Sequence, residues 1–361
     1  MNCFVTSSKP KYMNEQEENK PKTTNISTLG EFGLIDHLTK NIKHFHPNTL
    51  MGVGDDAAVI DNGNTLTILT KDLLVEGVHF DMVYTPLKHL GYKSIAVNLS
   101  DIYAMNARPR QVMVGLAVSK KYSVEALEEL YAGMLLACEK YKADMVGGDT
   151  TTSQAGLFIS ITATGEAGKN KVAYRSGAKP GDLLFVSGDL GAAYCGQLVL
   201  QREKQVFKAN PEMQPDISQY AYVVERQLKP EPRADIIDLL EKAGVQPTAM
   251  IDISDGLASE IRHICKKSGV GATIYEEKIP VDQRMAITAH EFNIDPTTCA
   301  LSGGEDYELL FCIDQKDYEK LKGLAGIHPI GHITEAGMGA NLVTISGQQL
   351  KLAAQGWDAF Y

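Results

Sequence analysis

Five short acidic clusters, each beside glycine or serine and each at the end of an apolar run, constrain this chain more than anything else in it. They are Gly54-Asp55-Asp56-Ala57, Thr70-Lys71-Asp72, Asn98-Leu99-Ser100-Asp101, Gly147-Gly148-Asp149-Thr150 and Asp252-Ile253-Ser254-Asp255-Gly256. Glycine lets a backbone come close to a ligand, and carboxylates at loop starts can point at a common centre. A single Gly-Asp or Ser-Asp is more often a turn or a helix cap than a metal ligand, and Asp255-Gly256 alone reads as a helix start. If the five converge, seven carboxylates crowd one place. Two like charges about 4 Å apart repel by roughly 4 kcal/mol at an effective dielectric near 20. Such a centre requires cations. Carboxylate, carbonyl and hydroxyl oxygens are hard ligands and suit magnesium, which keeps its waters and bridges to phosphates. That points to nucleotide chemistry.

The 361 residues fit two domains better than one small core. Residues 1–27 are polar and read as a disordered tail. The ordered chain is expected from Thr28, where Leu34, Ile35 and Leu38 recur at helical spacing. Val112, Val114, Leu116 and Val118 alternate, which predicts a half-buried strand. Ser123 is placed to cap a helix burying Leu127, Leu130, Met134, Leu135 and Cys138. A short strand ending at Gly147-Gly148 follows, then another over 157–164. The segment from Arg175 to Asp182, rich in glycine and proline, precedes an apolar run at Leu183 and reads as a connection between halves. Residues 201–232 are polar and punctuated by proline, and read as a helix with long surface connections. The expected class is α+β, with an N-terminal domain over 28–168, a C-terminal domain over 169–361 and a cleft between them.

With 35 basic against 45 acidic residues, the chain is not built to wrap nucleic acid. No run of eighteen apolar residues suggests a membrane span, and no basic flank and apolar run suggests a secretory signal. The six scattered cysteines form no C-x-x-C pair, so reduced thiols in a cytoplasm are expected. Neither a G-x-x-x-x-G-K-[ST] loop nor an H-R-D catalytic loop is present, so an ATP enzyme here belongs to neither of those classes.

The motifs resemble thiamine-monophosphate kinases. The resemblance is carried by Gly30-Glu-Phe-Gly-Leu-Ile, Gly52-Val-Gly-Asp-Asp-Ala-Ala-Val-Ile, Val75-Glu-Gly-Val-His-Phe, Ala96-Val-Asn-Leu-Ser-Asp-Ile-Tyr-Ala-Met and Gly147-Gly-Asp-Thr-Thr. It continues through Arg175-Ser-Gly-Ala-Lys-Pro-Gly-Asp, Met250-Ile-Asp-Ile-Ser-Asp-Gly-Leu and Ser302-Gly-Gly-Glu-Asp-Tyr-Glu-Leu-Leu-Phe. These blocks occur in the family's order from about residue 29 to 358. The resemblance implies the two-domain α+β fold of the aminoimidazole ribonucleotide synthetase superfamily, with N-terminal domains pairing across a homodimer. It also implies transfer of the ATP γ-phosphoryl group to thiamine monophosphate.

By the same resemblance, Asp55, Asp56, Thr70, Lys71 (through its backbone), Asp72, Asp101, Asp149, Asp252 and Asp255 match metal-binding positions, with Asp56 the better candidate of the first pair. Tyr131, Gly148, Arg175 and Ser254 match nucleotide-contacting positions; Asp149 and Arg175 are the candidates closest to the chemistry. Arg175 offers a planar fork to a phosphate, or it is a surface ion pair. Tyr131 lies on an apolar helix face and is otherwise core. His79, Glu305 and Trp357 match acceptor-contacting positions. Trp357 is the sole tryptophan, suited either to stack on a cationic ring or to anchor the C-terminal tail. A phosphate acceptor is largely ionised at pH 7, so a site without a dedicated base suits it.

The chain departs from the family at Ala359, where a histidine is common, at Thr152, where an arginine often stands, and at Asn106, where glycine is frequent. Selenophosphate synthetases and hydrogenase-maturation enzymes are the related alternatives; the first would want a reactive cysteine beside a lysine, the second a C-terminal cysteine. A non-catalytic nucleotide or metal sensor would keep the aspartates and lose His79, Glu305 and Trp357.

Overall fold

The computed structural model describes residues 25–213 and 216–353. Trp357 and Ala359 lie outside the described residues. The segment up to Lys43 is a unit of its own. In it Asn25 caps a 3-10 turn over Ile26–Thr28, and helix α1 (Gly30–Thr39) follows where the spacing of Leu34, Ile35 and Leu38 predicts it.

From His44 onward two sheets carry the fold. The first contains β1 (Thr49–Met51), β2 (Ala58–Asp61), β3 (Thr65–Val75), β4 (Arg108–Val118), β5 (Asp144–Thr152) and β6 (Phe158–Gly168), in the order β1-β2-β3-β6-β4-β5. Only β4 and β5 are parallel, joined through helix α3 (Val124–Tyr141), as a parallel pair requires. Helix α2 (Leu87–Ala104) joins β3 to β4 and lies with α3 on one face of the sheet. Val112, Val114 and Leu116 face that side with Ile159, Ile161 and Ala163, packed with Leu90, Ile95 and Leu99 of α2. The alternate residues Lys71, Leu73 and Met113 are exposed, so the opposite face is open.

Ser123 caps α3 as expected, accepting from the Ala126 N–H. Leu135 is exposed instead of buried. It follows the inward-facing Met134 by one step of about 100°, which turns it out of the core. Strand β5 does not end at Gly148 but continues to Thr152, after a register shift opposite Val112 and Met113. Asn106, at φ 53°, ends α2 in the left-handed region that explains a glycine preference there. Its side chain donates to the Lys171 carbonyl at 2.7 Å.

Helix α2 is buried almost all round, the pattern of a helix enclosed on every side. Two glycines permit its contact with α3. A Cβ at Gly91 would stand 1.9 Å from the Leu130 carbonyl oxygen, and one at Gly133 would stand 1.8 Å from that of Lys88.

The second sheet contains β7 (Leu183–Ser187), β8 (Ala249–Asp252), β9 (Gly271–Tyr275), β10 (Leu309–Ile313), β11 (Ile327–Thr334), β12 (Ala340–Val343) and β13 (Gln349–Lys351), ordered β13-β12-β9-β11-β7-β10-β8. Both faces of its centre are covered. Leu309, Phe311 and Ile313 join the core that contains α6 (Ala234–Ala243), while Leu310 and Cys312 join a second core with α7 (Leu257–Ser268). Helices α4 (Ala192–Ala209), α5 (Ala221–Leu228), α8 (Gln283–Glu291) and α9 (Pro296–Ser302) build a third core. Short helix α10 (Tyr318–Leu321) precedes β11. The described part of 201–232 contains the end of α4 and the whole of α5, two packed helices where the sequence predicts one. No helix among the described residues is long and apolar enough to cross a membrane.

Candidate active site

The acidic clusters arrive from four elements. Asp55 and Asp56 precede β2, Thr70 and Asp72 lie on β3, Ser100 and Asp101 end α2, and Asp252 ends β8. One carboxylate oxygen each from Asp56, Asp101 and Asp252 lies within 4.8 Å of the others. Short polar side chains hold two of them: Thr70 Oγ1 donates to Asp101 Oδ2 and Ser100 Oγ to Asp252 Oδ2, both at 2.6 Å. Asn98 Oδ1 accepts from the Asp72 N–H at 3.1 Å and so fixes β3 against α2.

Arg175, in the connection before β7, reaches the same centre. Its guanidinium donates to Asp56 Oδ1 at 2.7 Å and its backbone N–H donates to Asp55 Oδ1 at 3.1 Å. Asp56 Oδ2 is buried with no hydrogen-bond partner, an orphaned acceptor that a cation would satisfy. Burial raises the Asp72 carboxyl to about 6. Burial and the Asp56 charge raise Asp55 to about 6 and Asp252 to about 7. Burial, then Asp72, Asp252 and Asp56, pushes Asp101 well above the carboxylate range. Crowded oxygen donors with one guanidinium among them fit a divalent hard cation.

Other expected residues lie around or apart from this centre. Asp255 is at the end of the β8–α7 connection, where its N–H donates to the buried Glu260 at 3.0 Å. Gly256, at φ 112°, holds the position before α7, so Asp255 is not the cap of that helix. Ser254 is half-buried, and its carbonyl accepts from the Glu305 N–H at 2.7 Å. Lys71 is exposed, and Tyr131 packs half-buried against the first core. Gly148 leaves no room for a side chain: a Cβ there would stand 1.8 Å from the Val114 carbonyl oxygen.

Asp149 does not join the other aspartates within one chain. Leu73, Ser160, Gly115 and Asp149 are in register across β3, β6, β4 and β5. Three strand spacings, about 14 Å, separate the two ends of that row. Its face is the open one, whereas Asp72 alternates to the α2 side beside Ile161 and Val114.

A polar cavity of about 260 Å³ is lined by His79, Tyr84, Lys93, Gln201, Lys204 and Gln227 among others. His79 Nδ1 accepts from the Val75 N–H at 3.0 Å. Glu305 pairs with Lys93 at 2.8 Å and accepts from Gln227 at 2.6 Å. Glu305 and Tyr307 both have positive φ, at 67° and 52°. Sequence reasoning missed Lys93, Gln227 and Glu260. The only signal for Lys93 was a lysine within an otherwise enclosed helix.

Comparison with known proteins supplies the family. Residues 54–167 match the AIR synthase related protein N-terminal domain and residues 179–344 its C-terminal domain. The thiamine-monophosphate kinase of Aquifex aeolicus (strain VF5) is 34% identical over 335 residues, covering 93% of this chain and 99% of that protein. The chain belongs to the thiamine-monophosphate kinase family. The kinase of Bacillus subtilis (strain 168) is 32% identical, covering 92% of this chain and 100% of its own length. A solved structure of AaThiL complexed with AMPPCP and TMP superposes with a TM-score of 0.81 at 32% identity, covering 93% of this chain and 99% of that one. Hydrogenase maturation protein HypE in complex with ATP, at 18% identity and a TM-score of 0.62 over 89% of this chain and 94% of that one, shares the fold alone. The expected two-domain α+β fold of this superfamily is therefore the one observed.

Proposed function

We propose that this chain transfers the γ-phosphoryl group of ATP to the phosphate of thiamine monophosphate, giving thiamine diphosphate and ADP, with magnesium as its metal and in the cytoplasm. The convergence of Asp56, Asp101 and Asp252 from three distant segments carries the reading. Family relatives named as thiamine-monophosphate kinases, and one bound to AMPPCP and TMP, support it.

In this reading Asp56, Asp72, Asp101 and Asp252 hold the metal, with Asp55, Thr70, the Lys71 backbone and Asp255 at its margin. Bound magnesium supplies charge neutralisation between ATP and an acceptor that is itself a phosphate. The chain's own residues do the rest. Arg175 is the fixed cation that orients phosphate oxygens; Gly148, Ser254 and Tyr131 border the nucleotide. His79, Glu305 and Trp357 take the acceptor. The acceptor oxygen is already ionised near neutral pH, so positioning replaces a general base.

The N-terminal domain, residues 28–168, pairs with a second copy through its open sheet face, and residues 169–361 form the C-terminal domain. The exposed Leu73 and Met113 support this pairing, because sheets that pack face to face bury such residues about 10 Å apart. Asp149, on the same face, then completes the site of the partner copy.

The direct test incubates purified protein with ATP, magnesium and thiamine monophosphate, and follows thiamine diphosphate and ADP by chromatography. Equal formation of both, abolished by chelation, is expected. ADP and inorganic phosphate without thiamine diphosphate would assign a different acceptor.

A further inference from the structure

Two residues that line the polar cavity, Lys93 and Gln227, share one partly buried carboxylate, that of Glu305. Lys93, on α2, has a side chain that is 6% exposed, yet it carries a charge. Its Nζ donates to Glu305 Oε1 at 2.8 Å and to the Gln227 carbonyl at 3.0 Å. Gln227, on α5, donates from Nε2 to the other Glu305 oxygen at 2.6 Å. Both oxygens of Glu305 are thus engaged, one by a cation and one by an amide, in fixed directions. An ionised carboxylate only accepts, so the Gln227 amide nitrogen faces it and the amide oxygen points elsewhere. That oxygen is buried and has no partner.

The backbone around Glu305 is also held. Its N–H donates to Ser254 at 2.7 Å and that of Tyr307 to Ile253 at 2.9 Å, directly after Asp252. Left-handed conformations at two non-glycine residues persist only where the surroundings over-determine them. Lys93 and Gln227 also line the cavity that His79 lines. The lining also includes a second ion pair, between Lys204 and Asp81. Partly buried ion pairs contribute little to stability over apolar packing, so these two fit recognition better than folding.

We infer that Lys93 and Gln227, which line this cavity, are positioning residues that fix the Glu305 carboxylate they both hold and thereby set affinity for the organic, cationic part of the acceptor. The inference rests on the acceptor reading given above. Lys93 offers three donors, of which two are used within the protein. Glu305 keeps its orientation only while both partners remain. Loss of either frees the carboxylate to rotate, and no fixed acceptor then stands behind the cavity wall for a ring or its amino group.

The test measures kcat and KM for both substrates in the full chain carrying Lys93→Met, Lys93→Arg or Gln227→Leu, with thiamine monophosphate binding followed by calorimetry without ATP. Loss of a charge-assisted hydrogen bond predicts about a tenfold or greater rise in KM for thiamine monophosphate in Lys93→Met. KM for ATP should move far less, and Lys93→Arg should recover part of the loss. Gln227→Leu guards against misfolding, because it also removes the orphaned oxygen; it should weaken acceptor binding without lowering the melting temperature. Equal changes in both KM values, or unchanged acceptor binding in a folded Gln227→Leu protein, would overturn the inference. A wild-type protein that turns over ATP with another acceptor and binds no thiamine monophosphate would instead overturn the functional reading and this inference with it.

Discussion

Arg175 donates to one oxygen of Asp56 at 2.7 Å, and the other oxygen of that buried carboxylate has no partner. That oxygen is the acceptor the proposed cation would satisfy. Arg175→Met should destabilise the magnesium-free protein by about 3 kcal/mol or more, because it strands a buried charge. Saturating magnesium should recover part of that loss while activity stays low. Calorimetry in chelator and in magnesium checks this; an equal loss in both media would make Arg175 a structural ion pair only.

Asp252→Asn should act in the opposite sense on the metal-free fold. Burial first, then the Asp56 charge, raise its carboxyl to about 7 against the opposing Ser100 hydrogen bond and Arg175 cation. Removing the charge while keeping an acceptor for Ser100 should raise the melting temperature in chelator by a few degrees, corresponding to about 1 kcal/mol. The same change should abolish most turnover and reduce the stabilisation by magnesium. A lower melting temperature in chelator would show that repulsion at this centre is already relieved by the protein.

Much of this centre was legible because sequence clusters mark strand and helix ends. Asp56, Asp72, Asp101 and Asp252 each stand beside an apolar run that becomes an element with a buried face. The alternation at Val112–Val118 likewise sufficed for β4, since a half-buried strand has a period of two. What was not legible depends on tertiary neighbours. The Lys93–Glu305 pair joins residues more than two hundred positions apart, and no local spacing encodes it. Leu135 shows the same limit at one residue: hydrophobicity matched a core position, but helix phase turned the side chain outward. The open face of the first sheet was also invisible, because the apolar residues on it read as ordinary strand residues.

Glu231 gathers Lys140, Tyr141, Tyr92 and Lys229 around one carboxylate. Burial works to raise its pKa, but these hydrogen bonds outweigh that and lower it to about 2. A carboxyl depressed in the folded state contributes stability that is full above its unfolded value, about 4.3, and is lost as pH falls through about 2. Because the group is partly exposed, its contribution is discounted to about 1 kcal/mol. Urea unfolding should therefore show Glu231→Gln less stable than wild type by about that amount at pH 7, with the gap closing below about pH 3. A gap independent of pH would assign the loss to packing instead of charge.

The backbone contact of α2 with α3 can be tested through Gly133. An added Cβ would stand 1.8 Å from the Lys88 carbonyl oxygen, which no rotamer relieves. Gly133→Ala should cost about 1–3 kcal/mol by forcing the helices apart. Since α2 carries Ser100 and Asp101 to the acidic centre, the magnesium requirement should rise in the same variant. Denaturant midpoints and magnesium titrations of activity measure the two effects. A stability loss with an unchanged magnesium titration would mean that the end of α2 is held independently of its crossing with α3.

The position of Asp149 gives the most discriminating experiment. It lies about 14 Å along the sheet from β3, on the face away from α2, so its own chain cannot place it beside Asp72. Two copies related by a two-fold axis through the open face would make each Asp149 a member of the other copy's site. Asp149→Asn and Asp252→Asn homodimers should then both be inactive. Unfolding and refolding them together in equal amounts yields mixed dimers in which one site carries both changes and the other carries neither. Half of the dimers are mixed and half of their sites intact, so about a quarter of wild-type activity should return. If Asp149 served its own chain, every site in the mixed dimer would keep one lesion and no activity would return. The exposed Leu73 supplies a control: Leu73→Arg, on the same face, should block recovery by preventing the pairing, which gel filtration would detect as monomers.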